Sequence, residues 1–284
     1  MPGSKPVTLK NAVVAVTGGA RGIGLAIAEA LRAEGARISI GDVDIALAQK
    51  EAARLGAFAH VLDVRQHDSF AAFLQATEEA LGPVDILVNN AGIMPMGAFL
   101  DETLAISDAQ IDINFRGVIH GMQLVLPGLL ARRRGHIINV ASMAGRFAIP
   151  GAAVYCGTKH AVVGMTEAVA GEHRDSGVNF TIIMPSKVLT ELSSGTDAAN
   201  PGIPSVTPQD VAAAIVSAVK KPRLHVAVPD YLQTAHALYG LVPAWIQERG
   251  RRLMGDTGIL TKLDHRARDN YTKRLASLSG KSGG

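Results

Sequence analysis

The 284-residue sequence predicts an α/β fold: a doubly wound parallel sheet of about seven strands with helices on both faces, followed by a C-terminal helical extension. Three observations predict it. Short apolar runs alternate with stretches of helical period. The runs end in Gly, Asp, Asn or Ser, and the first run passes through a glycine cluster straight into an apolar helix.

Asn11 to Val16 is the first strand, and it ends in Thr17-Gly18-Gly19-Ala20-Arg21-Gly22-Ile23-Gly24. The following helix carries Leu25, Ile27, Ala28 and Leu31 and ends near Gly35. Glycine permits positive φ and close backbone approach, and free N–H groups at a helix N-terminus hold a pyrophosphate. Gly18, Arg21, Gly22, Ile23 and Gly24 are therefore candidate dinucleotide contacts, although such a cluster alone is equally a plain turn. Ala36 to Ile40 is the second strand, closing with Gly41-Asp42. Asp42 stands 18 residues past Gly24, near the offset of about 20 at which an acid meets the adenosine ribose of NAD. A carboxylate there accepts from the 2′-hydroxyl and repels a 2′-phosphate, which favours NAD over NADP. The plainer reading makes Asp42 the cap of a helix from Ile45 to Leu55, a role open to Asp44 as well. Arg21 argues for NADP, because a cation in the glycine turn can meet the 2′-phosphate.

Phe58 to Leu62 is the third strand, after which Asp63 and Val64 stand where a carboxylate can meet the adenine amino group. A helix spans His67 to Leu81 with Phe70, Phe73, Leu74 and Thr77 on one side. Ile86 to Val88, the fourth strand, runs into Asn89-Asn90-Ala91-Gly92. Asn side chains there bond neighbouring backbone and shape the sheet's carboxyl edge, so Asn89 and Asn90 read as structural support, with Asn90 and Gly92 also beside the cofactor. A long helix from Ser107 to Ala131 holds Asn114 midway, and Asn is a mediocre helix former. Either the helix opens locally and binds water, or Asn114 is a surface residue.

Ile137 to Val140 is the fifth strand and ends at Ala141-Ser142. Ser142 is a cap or turn residue or, at the carboxyl end of a central strand, a ligand contact. The helix from Ala153 to Ser176 stacks Tyr155 and Lys159 on one face. A phenol with a pKa near ~10 is ionised in about one copy per thousand at pH 7. Two unit charges ~4 Å apart at an effective dielectric of about 20 interact by roughly 4 kcal/mol, and lowering a pKa by two units takes only about 2.7 kcal/mol. A neighbouring Lys thus makes Tyr155 a base near neutrality, although the same pair also occurs on ordinary solvated faces. Asn179 to Met184 is the sixth strand, followed by Pro185-Ser186-Lys187-Val188-Leu189-Thr190. Glu191 to Thr207 reads as a mobile loop over a site, Pro208 to Lys220 as a helix and Leu224 to Val228 as the seventh strand.

Over approximately Lys10 to Pro229 the chain resembles the short-chain dehydrogenase/reductase family. The matching pieces are Thr-Gly-x-x-x-Gly-x-Gly at Thr17 to Gly24, Asn-Asn-Ala-Gly at Asn89 to Gly92, Ser142, and Tyr-x-x-x-Lys at Tyr155 to Lys159. The resemblance implies a Rossmann-type dinucleotide-binding and catalytic domain over 10–229 and a nicotinamide-dependent oxidoreductase. It implies that Tyr155 exchanges the substrate proton, Ser142 bonds the same oxygen, and Lys159 lowers the Tyr pKa while holding the nicotinamide ribose, so that both Tyr155 and Lys159 also touch the cofactor. In the family, Asn114's counterpart orders a water linking the Lys to solvent. Pro185, Val188 and Thr190 match positions near the nicotinamide carboxamide, although the family's usual Pro-Gly is Pro185-Ser186 here. The resemblance implies no metal, and it implies a homodimer or homotetramer paired through the helices around Asn114 and Tyr155. The three-residue interval between Tyr155 and Lys159 argues against the enoyl-reductase branch.

Composition narrows the function classes. The single cysteine, Cys156, allows no intrachain disulfide and fits a reducing compartment. With no apolar signal region at the start and no apolar run of spanning length, a cytoplasmic protein is expected. A net charge of +3, with four Tyr, seven Phe and one Trp, argues against nucleic acid as a partner. The expected partner is a small-molecule secondary alcohol or ketone, and Ile93, Met94, Met96, Phe147, Ile149, Val188 and Leu189 suggest a hydrophobic, lipid- or steroid-like one. In the extension, 230–284, helices are expected at Tyr231 to Tyr239 and Trp245 to Leu253, with a polar, frayed end from about Arg266. The second helix has a basic side, Arg249, Arg251 and Arg252, and either contacts a membrane surface or packs on its own domain or a partner subunit. Two further function classes remain: a catalytically silent dinucleotide-binding regulatory protein, and a membrane-associated interaction protein using that basic helix.

Overall fold

The computed structural model describes residues 5–196, 204–243, 245–247, 249 and 258–279. Its strands are β1 (Val13–Thr17), β2 (Arg37–Asp42), β3 (Phe58–Val61), β4 (Ile86–Asn89), β5 (Gly135–Val140), β6 (Val178–Pro185), the short β7 (Lys187–Val188) and β8 (Ser205–Val206), and β9 (His225–Val228). Seven of them form one sheet in the order β3-β2-β1-β4-β5-β6-β9, parallel at every pairing. The chain runs outward through β2 and β3 and then returns to place β4 beside β1. At that reversal the two connections leave in opposite directions, and a crevice opens at the carboxyl ends of β1 and β4.

Both faces of the sheet are covered, which is why the central strands read as unbroken apolar runs. Alternate residues of β1 serve different cores. Val14 and Val16 pack with Ile38 and Ile40 against Ile27 and Leu31 of α1 (Gly22–Ala33) and Val211, Ile215 and Val219 of α7 (Pro208–Lys220). Val13 and Ala15 pack with Leu87 and Ile137 against Phe70 and Phe73 of α3 (His67–Leu81), Leu129 of α5 (Gly117–Arg132) and Val162 of α6 (Ala153–Glu172). Helix ends follow local chemistry. Asp44 caps α2 (Ile45–Leu55) by accepting from the Leu47 N–H, and Gly56 closes it at φ +61°. Thr207 and Asp210 form a capping box on α7, with Pro208 in its first turn.

The structure departs from the sequence reading in three places. The long helix expected from Ser107 to Ala131 is α4 (Leu104–Ile111) and α5 joined by a π-helical turn, Asp112–Arg116. The end expected to fray from Arg266 instead forms α10 (His265–Ser279), preceded by α9 (Gly258–Lys262). Arg268, Tyr271 and Leu275 of α10 are buried at i, i+3 and i+7, a helical stripe too narrow to register against the polar composition around it. Within Glu191 to Thr207, the described parts are a 3-10 turn, Glu191–Ser193, and β8, which pairs with β7. The expected helix α8 is present at Tyr231–Tyr239, and most of the basic helix expected at Trp245 to Leu253 lies outside the described residues. Among the described residues no helix is long and apolar enough to cross a membrane.

One buried polar group makes the sheet pH-sensitive. His136 on β5 is fully buried, with Nε2 2.8 Å from Thr181 Oγ1. The Thr181 hydroxyl donates to the Arg223 carbonyl, so His136 Nε2 carries the proton and its Nδ1 is left without a partner. Burial lowers the His136 pKa to about 3. Between that value and about 6.5 the unfolded chain binds a proton that the folded one does not, so stability falls as the solution is acidified through this window. His136→Gln removes the group. We expect the stability of the parent relative to this variant to fall by about 1.4 kcal/mol per pH unit below pH 6, measured by urea unfolding of both proteins at pH 7, 6 and 5.

Candidate active site

The glycine turn is shaped by contacts that exclude side chains. Gly18 has φ +61°, and a Cβ there would stand 2.9 Å from Ala91 Cα. A Cβ on Gly24 would stand 2.1 Å from the Gly18 carbonyl oxygen and 2.7 Å from Asn90 Nδ2. Gly22, at φ +54°, faces open space, with only the Thr190 Cγ2 methyl 3.7 Å from where its Cβ would be. Arg21, the cap residue of α1, gives no side-chain acceptor to the first turn, so the amides of Gly22, Ile23 and Gly24 are left for an outside acceptor. The turn has the room and the donors that a pyrophosphate needs.

Asp42 supports this turn. Its carboxylate accepts from the Ala20 N–H at 3.1 Å and the Asp44 N–H at 3.0 Å. The α2 cap is Asp44, and that same carboxylate forms an ion pair with Arg21. The reading of Asp42 as the helix cap is thereby corrected. Asp63 is bound by Arg65, with Nη2 2.7 Å from Oδ2, and Val64 is buried against Gly117.

At the sheet's carboxyl edge the remaining residues converge. Asn90 Nδ2 donates to the carbonyls of Thr17 and Gly18 at 3.0 and 3.1 Å, which locks β4 to the start of the glycine turn. Asn89 lies below, donating to Asn139 Oδ1. Asn114 sits in the π-helical turn, fully buried, and is not a surface residue. Its Oδ1 accepts from the Ile93 N–H at 2.8 Å, while its Nδ2 donates to the Ile93 carbonyl at 2.9 Å and to Thr158 Oγ1 at 3.2 Å. A Cβ on Gly92 would stand 3.2 Å from Asn114 Oδ1 and 3.7 Å from Lys159 Nζ, so these three residues are neighbours.

Tyr155 and Lys159 are both buried, and Lys159 Nζ lies 5.7 Å from the Tyr155 ring centroid while donating to the Val140 carbonyl at 2.9 Å. Burial lowers Lys159 to about 8. Burial also pushes the Tyr155 phenol above its ordinary value, against a hydrogen bond to Ser142 that pulls it down. The expectation that Lys159 makes Tyr155 a base near neutrality left out desolvation, which in this structure is the largest influence on the phenol. Ser142 caps the turn after β5, accepting from the Ala144 N–H at 3.1 Å. Pro185 ends β6, and its carbonyl lies 3.5 Å from the Ser142 hydroxyl. Val188 is buried in β7, while Thr190 overhangs Gly22. Met94 and Ile149 pack against the cluster of Ala144, Ala152, Tyr155 and Cys156.

Comparison with known proteins identifies the family. The family model for short chain dehydrogenases matches residues 12–201. The chain belongs to the short-chain dehydrogenase family. It is 37% identical over 225 residues to galactitol 2-dehydrogenase of Agrobacterium fabrum, covering 78% of this chain and 87% of that one. It is 38% identical over 185 residues to 2-(S)-hydroxypropyl-CoM dehydrogenase 3 of Xanthobacter autotrophicus, covering 63% and 72%. Among solved structures, a short-chain dehydrogenase/reductase from Burkholderia phymatum in complex with NAD superposes with a TM-score of 0.73 at 26% identity, over 80% of this chain and 92% of that one. A metagenomic short-chain oxidoreductase in complex with NADP gives 0.67 at 28% identity, over 78% and 97%. The protein is an oxidoreductase of this family with a Rossmann-type sheet.

Sequence reasoning missed three contributors to the site of this short-chain dehydrogenase. Thr158 bonds Asn114, Thr17 Oγ1 accepts from the Asn90 and Ala91 N–H groups, and Tyr271 accepts from the Met94 N–H at 2.7 Å. Thr17 and Thr158 lie inside the motifs that drew attention, so their position was the available signal. Asn114→Ala leaves the buried Ile93 N–H and carbonyl without partners. We expect a loss of about 2–3 kcal/mol of stability, read as a lower urea midpoint at unchanged slope.

Proposed function

We propose that this short-chain dehydrogenase interconverts a secondary alcohol and its ketone, with NAD preferred over NADP. The observation that carries the reading is the buried pair of Tyr155 and Lys159, with the half-buried Ser142 hydrogen-bonded to Tyr155, at the sheet's carboxyl edge next to a glycine turn with unclaimed amides. Gly18, Arg21, Gly22, Ile23 and Gly24 would hold the pyrophosphate, with Asp42 and Asp63-Val64 on the adenosine side. Asn90, Gly92, Pro185, Val188 and Thr190 would line the nicotinamide side. A nicotinamide dinucleotide held there supplies the hydride donor or acceptor.

Tyr155 exchanges the proton of the substrate oxygen, and Ser142 bonds that oxygen. Lys159 sits against the ribose side of the site, and Asn114 connects it through the opened helix toward solvent. Met94 and Ile149 pack against the Tyr155 cluster, and such apolar surroundings would suit a hydrophobic substrate. Helices α5 and α6 would pair subunits into a homodimer or homotetramer. Ile111 of α4 and Phe115 of the π-helical turn, with Val154, Gly157, Thr158 and Ala161 of α6, line an apolar groove, and Gly157 and Gly164 have open space where side chains would stand. A cytoplasmic location fits the single buried cysteine.

Because burial raises the Tyr155 phenol, it is protonated at neutral pH and ready to donate to a carbonyl oxygen, whereas alcohol oxidation needs the phenolate. Oxidation should therefore climb by about tenfold per pH unit from pH 7 to 9, and ketone reduction should not. Tyr155→Phe should retain dinucleotide binding while losing about 10² to 10⁴ in turnover. Both are read from nicotinamide absorbance across secondary alcohols and ketones of increasing apolar size; near-normal turnover by the Phe variant would sink the assignment.

Asp42→Ala should narrow the affinity ratio between NAD and NADP by about tenfold or more, since a carboxylate facing the 2′ position is worth more than about 1.4 kcal/mol. Fluorescence titration with each dinucleotide measures it, and an unchanged ratio would leave Asp42 only as a brace for the glycine turn.

A further inference from the structure

The C-terminal segment touches three loops: the one after β4, the one that leads into α6 and the one after β7. Ile259 of α9 packs on Gly151, in the loop that leads into α6, leaving no room there for a Cβ. The Asp264 N–H donates to the Gly195 carbonyl at 3.0 Å. Arg268 of α10, only 4% exposed, donates from Nη1 to the carbonyls of Leu192 and Ser194 at 3.1 and 2.9 Å. From Nη2 it donates to the carbonyl of Met94 at 2.8 Å. Tyr271, lying 4.9 Å under the guanidinium, accepts from the N–H of the same Met94.

This is a costly way to pack a tail. A buried guanidinium loses hydration, and carbonyl dipoles repay less of that loss than a carboxylate does; an apolar side chain would dock a helix at lower cost. What the guanidinium provides is a planar fork that reaches two separate loops at once. One of them, after β4, carries Met94, which packs on the Tyr155 cluster. The other follows β7 and carries Leu192 and Ser194. Arg274, farther along α10, pairs with Glu191 of that second loop at 2.6 Å where both side chains are partly exposed.

We propose that Arg268 is a positioning residue that latches the Leu192–Ser194 loop to the Met94 loop, so that α10 sets the shape of the pocket over Tyr155 and substrate exchange proceeds by release of this latch. The proposal rests on the reading of Tyr155 as the group that exchanges the substrate proton. Burial pushes the Tyr271 phenol up to about 12, so Tyr271 stays neutral and its hydroxyl holds Met94 across the working pH range.

The test uses the full chain carrying Arg268→Gln. Backbone hydrogen exchange of residues 191–196 should rise by about tenfold or more while exchange in β4 and β5 stays at the parent's rate. Substrate KM should rise by about tenfold or more with NAD affinity within about twofold of the parent. A purely structural Arg268 would lower the thermal midpoint and the active fraction and move neither KM nor the local exchange, and that result would overturn the latch. If Arg268→Gln does not fold, Tyr271→Phe, which removes one hydroxyl, takes its place: faster exchange at the Met94 amide and across 191–196 supports the latch, and parent-like exchange at 191–196 overturns it. The exchange measurement needs no substrate. Absence of turnover in the parent would therefore count against the reading of Tyr155 while the exchange result still decides the role of Arg268.

Discussion

The rest of the site depends on how the chain satisfies its backbone at the point where β1 and β4 end side by side. A parallel sheet whose connections diverge there leaves carbonyl and amide groups without ladder partners, at a place too buried for water to serve them freely. Thr17 and Asn90 fill that need together. The Thr17 hydroxyl accepts from two amides of the β4 loop, and the Asn90 side chain returns two hydrogen bonds to the carbonyls of Thr17 and Gly18. The Asn90 amide then lies so near Gly24 that no Cβ fits, and α1 can begin close enough to the sheet for its first-turn amides to face the crevice. A polar brace and a glycine requirement are thus two sides of one packing problem.

The same economy of space explains the behaviour of Tyr155 and Lys159. Enclosing both disfavours each charged form, so burial alone moves a phenol up and an ammonium down. Lys159 Nζ donates to the Val140 carbonyl at the end of β5. Ser142, at the end of the same strand, is the group that pulls Tyr155 back toward ionisation. Strand β5 therefore delivers both partners of the α6 pair, and the tuning depends on its register against β4 and β6. Electrostatics at fixed separation, estimated from spacing alone, omits this desolvation.

The strands, the glycine turn and the helix carrying Tyr155 were legible because each is short-range: an apolar run, a cluster of residues tolerant of positive φ, a helical period. Asn114 was legible as an anomaly, since a poor helix former in mid-helix needs a reason, and the π-helical turn with its bonds to Ile93 is that reason. What was illegible is non-local. Whether a phenol at position 155 is ionised depends on what surrounds it, and one of the groups that push it up is Tyr271 of α10, more than a hundred residues later. Helix α10 itself hides in composition, because its buried stripe of Arg268, Tyr271 and Leu275 contains one apolar aliphatic residue. An arginine in that stripe reads as solvated until its carbonyl partners are known.

Cofactor discrimination shows how far a single motif position can mislead. Arg21 and Asp42, taken separately, argue for opposite dinucleotides. Folding brings a third residue between them: Asp44 caps α2 and pairs with Arg21, while its own N–H is held by Asp42. Two carboxylates and one guanidinium then occupy the end of β2. A 2′-phosphate placed there must compete with Asp44 for Arg21 and also lie beside Asp42, whereas a 2′-hydroxyl needs only an acceptor. The proposed preference for NAD thus follows from the arithmetic of charge at this corner: the cation that would recruit a phosphate is already matched, and the unmatched charge is negative.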